Sequence, residues 1–101
     1  SGRGQRMTWG ELAERLRRLP SCDYARVQGF YPAEADIWES APATIAVYLV
    51  PIHDTWQLSV TAIDCATGRG RCNLSAEFLT EAAAQTALMT ATKLVYHRGT
   101  P

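Results

Sequence analysis

The sequence predicts an α+β fold: a four-stranded, mostly antiparallel sheet with an N-terminal and a C-terminal helix packed on one face, in the order α-β-β-β-β-α. Three observations carry this. Trp56, Leu58, Val60 and Ala62 alternate with Gln57, Ser59, Thr61 and Ile63, and a period of two is that of a strand with one buried face. Two turn signals flank this stretch and pair it with apolar runs on both sides, so that residues 44–79 read as a three-stranded meander. Both ends of the chain carry capped segments of helical composition.

The first helix starts at a capping box. Thr8 and Glu11 have the required spacing, and Met7 and Leu12 are placed as its hydrophobic staple. Leu12, Ala13, Leu16 and Leu19 form the apolar stripe. Glu11–Arg15 and Glu14–Arg18 are i,i+4 pairs on the wet side, and Pro20 ends the helix. Residues 24–31 follow as a strand whose place in the sheet the sequence leaves open. Ala25, Val27 and Tyr31 share a face, and Gly29 marks a bulge or a close backbone approach. Residues 32–42, bracketed by Pro32 and Pro42, form the longest irregular segment, with Glu34, Asp36 and Glu39 around Ile37 and Trp38. Loops of this length are often functional. The plainer expectation is a flap whose Ile37 and Trp38 plug the sheet edge or cover the mixed, more polar face of the sheet.

The meander is specified by its turns. His53 and Asp54 form a two-residue turn without glycine, pairing Leu49 with Leu58, Val47 with Val60 and Ile45 with Ala62. Ala66, Thr67 and Gly68 form a three-residue loop with glycine at positive φ. That loop sets Cys65 against Arg69, Ala62 against Cys72, Val60 against Leu74, Leu58 against Ala76 and Trp56 against Phe78. Both turns select one apolar face, and a one-residue slip would lose it entirely. The opposite face is mixed: Ala46, Tyr48, Val50, Gln57, Ser59, Thr61, Ile63, Arg71, Asn73, Ser75 and Glu77.

The last helix spans about residues 81–96, capped by Thr80 with Glu81 in its first turn. Ala84, Leu88, Ala91 and Val95 form the stripe for the sheet. Alanine and threonine dominate the rest, and a helix apolar beyond one stripe is usually buried on more than one side. Ala82, Thr86, Met89 and Tyr96 are therefore the expected surface of a homodimer. Within this helix Ala83-Ala84-Gln85-Thr86-Ala87-Leu88 resembles the packing motif that closes double-stranded-RNA-binding domains, with Ser75 at the matching distance upstream. The two lysines that grip phosphate in that family are Ala76 and Glu77 here, and its third basic position is Thr80. The resemblance thus lacks its RNA-binding residues and points to protein contact; no membership follows.

Composition narrows the function. A chain of 101 residues is one domain. Ten basic and ten acidic residues give a net charge of zero, which argues against nucleic acid and anionic membranes as partners. Arg15, Arg17, Arg18, Arg69 and Arg71 would need to share one surface to bind nucleic acid. No run reaches the length of a membrane span. Ser1 to Arg6 reads as a cloning remnant or leader, with Met7 as the native start. Three cysteines lack metal-ligand spacing and suit a reducing cytoplasm; on the register above Cys65 and Cys72 point to opposite faces, so no disulfide is expected between them. Neither Cys22 nor Cys65 has a His or basic neighbour that would make it reactive.

No cofactor or metal motif is present. His53 with Asp54 reads as a solvated turn, His97 as a favourable charge at a helix end, and Glu34, Asp36 and Glu39 as too sparse for a calcium loop. Gly68-Arg69-Gly70-Arg71 reads as a turn with solubilising arginines. The expected function is a small non-enzymatic protein-interaction module, homodimeric, with Tyr31, Trp38, Tyr48, Ser59, Thr61 and Asn73 at its binding surface. The alternative is a small-molecule-binding domain or small enzyme. Its pocket would lie between the sheet and loop 31–42, walled by Tyr24, Tyr31, Trp38 and Tyr48.

Overall fold

A computed structural model describes residues 7–19, 24–38 and 43–98. The elements are α1 (Trp9–Arg17), β1 (Tyr24–Phe30), β2 (Ala43–Ile52), β3 (Thr55–Asp64), β4 (Gly70–Phe78) and α2 (Glu81–Arg98). The strands form one sheet in the order β1-β4-β3-β2, antiparallel throughout. The open place of the first strand is thereby settled: β3 lies between its hairpin partners, and β1 takes the remaining edge of β4. Both helices cover one face, and the molecule is a slab 20 Å thick. The expected leader 1–6, Pro20, Cys22, Glu39 and Pro42 lie outside the described residues, as do the side chains of Tyr24 and His97.

The expected register holds along both hairpins. Leu49 faces Leu58, Val47 faces Val60 and Ile45 faces Ala62. Trp56 faces Phe78, Leu58 faces Ala76, Val60 faces Leu74 and Ala62 faces Cys72. Ile45, Leu58, Val60, Ala62, Leu74, Ala76 and Phe78 are buried beneath Leu12, Leu16, Ala84, Ala87, Ala91 and Val95. Alanines on α2 let that helix lie close to the sheet. The nine largest fully buried side chains include Trp9, at the start of α1.

The β3–β4 loop departs from expectation by one residue. Asp64 and Arg69 close it, through Asp64 N–H to the Arg69 carbonyl at 2.8 Å and Gly68 N–H to the Asp64 carbonyl at 2.7 Å. The Asp64 carboxylate accepts from the Ala66 N–H at 2.8 Å, an Asx turn that draws Cys65 into the loop. Cys65 therefore does not face Arg69. A bulge restores the register: Ile63 pairs with Gly70 and Ala62 with Cys72, leaving Arg71 as the extra residue. Gly68 has the expected positive φ, +74°.

The β2–β3 turn has φ of +53° at His53 and no positive φ at Asp54, which excludes a type I′ turn, since that needs positive φ at both residues. In β1, Gly29 marks a close approach: a Cβ there would stand 2.0 Å from the Asn73 carbonyl oxygen. The bulge of that strand falls earlier, between Tyr24 and Arg26. Ser75 lies within β4, and α2 begins only at Glu81. The strand prevails over the helix opening that the RNA-binding resemblance would place at Ser75.

Candidate functional site

With both helices on one side, the other face of the sheet carries no described element. At its centre is a ladder of small polar side chains across β3 and β4. The Asn73 amide donates to the Ser59 hydroxyl at 2.9 Å and to the Thr61 hydroxyl at 2.8 Å. The Ser75 hydroxyl donates to the Asn73 amide oxygen at 2.9 Å, and Ser59 and Thr61 lie 3.2 Å apart. Cross-strand register produces this: Ser59 faces Ser75 and Thr61 faces Asn73, so short side chains with donors and acceptors meet on one face. Ser59 and Ser75 are buried, yet each is satisfied within the ladder.

Tyr48, on β2, faces Ser59. The Ser59 hydroxyl, and then that of Thr61, stabilise its phenolate and hold its pKa below the usual tyrosine range, against a small opposing effect of burial. Around this ladder the face turns apolar. Phe30 is 60% exposed, Tyr48 45% and Val50 36%. An Arg26–Glu77 ion pair at 3.1 Å lies between β1 and β4.

Of the residues expected at the binding surface, Tyr48, Ser59, Thr61 and Asn73 come together. Tyr31 and Trp38 lie with the helices and do not join them. The reason is loop 31–38, whose main chain serves the start of α1. The Ala35 and Ala33 carbonyls accept from the N–H groups of Trp9 (3.1 Å) and Gly10 (2.9 Å), donors that a helix start leaves without internal partners. The Ile37 N–H bonds the Met7 carbonyl at 2.9 Å. Tyr31 then stacks on Trp9, centroids 6.0 Å apart, and Ile37 enters the core. Trp38 donates its indole N–H to the Val95 carbonyl at 2.9 Å and packs against Tyr96. The expectation that Ile37 and Trp38 cover the mixed face is not met: Ile37 enters the core on the helix side and Trp38 packs on α2.

Phe30 and Ser75 also belong to the face, beyond the site residues expected from the sequence. Strand parity is the signal that finds both: Phe30 faces Asn73 and Ser75 faces Ser59. On α2, Ala82, Thr86 and Met89 are exposed, Met89 at 71%. The Thr90 hydroxyl folds back onto the Thr86 carbonyl at 2.9 Å. Tyr96 is 40% exposed and donates its hydroxyl to the Ile45 carbonyl on β2.

A second feature lies between loop 31–38 and the helix side of the sheet. It is a cleft of about 330 Å³ lined by Trp9, Pro32, Ala35, Asp36, Ile37, Ala62, Arg71 and Cys72. Asp36, 8% exposed, accepts the Trp38 N–H at 2.8 Å. The walls differ from those expected: Tyr31, Trp38 and Tyr48 do not line the cleft. Among the described residues no group of three or more His, Cys, Asp or Glu side chains is placed to hold a metal ion, and no helix is long and apolar enough to cross a membrane. No family model, no curated protein and no solved structure matches the chain.

Proposed function

We propose that this chain is a small non-enzymatic protein-interaction domain that pairs with itself and presents its bare sheet face to a protein partner. One observation carries the reading. Four strands expose Phe30, Tyr48 and Val50 around a polar ladder whose donors and acceptors are already engaged with one another. A network whose donors are already engaged within itself loses little when a partner covers it, while exposed aromatics are the side chains that supply most contact energy at interfaces. The zero net charge favours a protein over nucleic acid, and Arg17 is engaged with Glu14 at 3.8 Å. The thiols of Cys65 and Cys72 are free, which suits a reducing cytoplasm. Self-pairing was expected through α2, where Ala82, Thr86 and Met89 are exposed.

The test is site-specific photocrosslinking. A benzophenone amino acid replaces Phe30 in one sample and Met89 in another, in cytosolic extract. A discrete product from position 30, competed by excess unlabelled protein, is the expected result. Products from position 89 alone would overturn the assignment to the sheet face.

The cleft beside Asp36 supports a second reading, a small-molecule-binding domain or small enzyme. Its volume falls in the range of ligand pockets, and a buried carboxylate adds a polar anchor. A metabolite thermal-shift screen separates the readings: a hit weakened by Asp36→Asn, which keeps the side chain's shape and its bond to the Trp38 N–H, favours the second.

A further inference from the structure

The two edges of the sheet are treated differently. β1 has seven residues, a bulge after Tyr24 and a charged Arg26, all devices that discourage strand pairing. β2 is the other edge. It has ten residues, Ala-Thr-Ile-Ala-Val-Tyr-Leu-Val-Pro-Ile, with no charge and no bulge against β3. Among the described residues no strand pairs its outer side.

Which backbone groups point outward follows from the turn. In a two-residue hairpin the flanking residues, here Ile52 and Thr55, share the closing hydrogen bond. Bonded and non-bonded pairs then alternate along an antiparallel ladder. Val50, Tyr48 and Ala46 bond inward to β3, while Pro51, Leu49, Val47 and Ile45 turn their main-chain groups outward. Two independent facts agree. Pro51, which has no N–H, occupies an outward position, and the Ile45 carbonyl accepts the Tyr96 hydroxyl, as suits a carbonyl not bonded to β3.

We infer that the occupant of this edge is the β2 strand of a second copy, antiparallel, with the two-fold axis at Tyr48. In that register Val47 pairs with Leu49 of the second copy and Leu49 with its Val47, each exchanging both bonds. Ile45 then meets Pro51. Its N–H bonds the Pro51 carbonyl. The return bond would need an N–H that proline lacks, onto the Ile45 carbonyl that Tyr96 already occupies. The missing donor and the occupied acceptor therefore coincide, which no register shifted by two residues achieves.

On the bare face Tyr48 meets Tyr48, and Ala46 meets Val50, so the exposed Tyr48 and Val50 side chains cover one another. An uncharged strand meets no like charge on its own two-fold. A ten-residue strand is about 34 Å long, and with its side chains such a contact buries on the order of 1,000 Å², the lower bound for a specific interface. The inference rests on the interaction reading above only for self-pairing, and it replaces the α2 surface with the β2 edge. It also joins two bare faces into one continuous sheet.

The experiment uses the full chain with Cys22→Ser and Cys65→Ser, by sedimentation equilibrium and oxidative cross-linking. The parent should be a dimer. Tyr48→Lys sets two cations opposite each other and should weaken it by about tenfold or more, with unchanged circular dichroism. Tyr48→Cys should cross-link to itself on mild oxidation, since non-bonded antiparallel pairs hold Cα atoms about 4.5 Å apart, within disulfide reach. Ala46→Cys and Val50→Cys should cross-link to each other in mixture. A parent monomeric at several hundred micromolar overturns self-pairing altogether. A dimer that survives Tyr48→Lys and is broken by Met89→Arg overturns the edge and leaves self-pairing standing. Cross-linking of Ala46→Cys to itself, without that of Tyr48→Cys, overturns the register.

Discussion

At the scale of single residues, Tyr48 and His53 make the most direct demands on chemistry. The Tyr48 phenol sits against the Ser59 and Thr61 hydroxyls, which lower its pKa. As pH rises the folded state therefore releases this proton before the unfolded chain does. Stability relative to Tyr48→Phe increases with pH between the folded pKa and the ordinary value near 10, and the gain is lost as pH falls through the folded pKa. Urea midpoints of both proteins, measured dilute at several pH values from 7 to 10, should diverge toward alkaline pH. A gap independent of pH would contradict the hydrogen-bonded phenol. His53 occupies a φ of +53° that glycine adopts at no steric cost. His53→Gly relieves backbone strain of about 1–3 kcal/mol against a loss of up to ~1 kcal/mol in chain entropy, and should stabilise by ~1 kcal/mol net, read as a rise in Tm of roughly 4–8 °C. A lower Tm would mean that the histidine side chain contributes more than its backbone strain costs.

Among the elements, loop 31–38 shows how a segment with functional composition is used for structure. Its carbonyls serve the first donors of α1, and Trp38 serves a carbonyl in the last turn of α2. The loop thus closes both helices onto the sheet. Trp38→Phe keeps an aromatic ring and removes the indole donor, and should cost about 1–2 kcal/mol in chemical denaturation. A neutral result would make the indole bond incidental.

The two hairpins were legible because each turn fixes a register and the apolar alternation checks it independently, as Leu58 does by facing both Leu49 and Ala76. The Arg71 bulge was not legible. It depends on the Asp64 carboxylate taking the Ala66 N–H, a choice between a three- and a four-residue loop that pattern does not decide. The direction of loop 31–38 was hidden for a related reason. Nothing local in Ala33 or Ala35 shows that their carbonyls complete a distant helix. The alternating face gave up Tyr48, Ser59, Thr61 and Asn73 directly, whereas Phe30 depended on the place of β1, which no turn specifies.

For the whole molecule, the layers divide the work. Helices, loop 31–38 and the apolar sheet face make one continuous core. Among the described residues no element covers the other face or pairs the outer side of β2. A four-stranded sheet covered on one side is a stable arrangement, but an uncharged ten-residue edge strand invites pairing, and here its outward groups are self-complementary. The resulting assembly would present two polar ladders and two Phe30 side chains on one extended face.

Amide hydrogen exchange along β2, followed from dilute to concentrated protein, tests this most directly. The N–H groups of Tyr48 and Val50 bond β3 and should be protected throughout. Those of Ile45, Val47 and Leu49 point outward and should exchange rapidly in the monomer, then gain protection together as concentration rises. Exchange at these three amides that does not change with concentration would contradict the account.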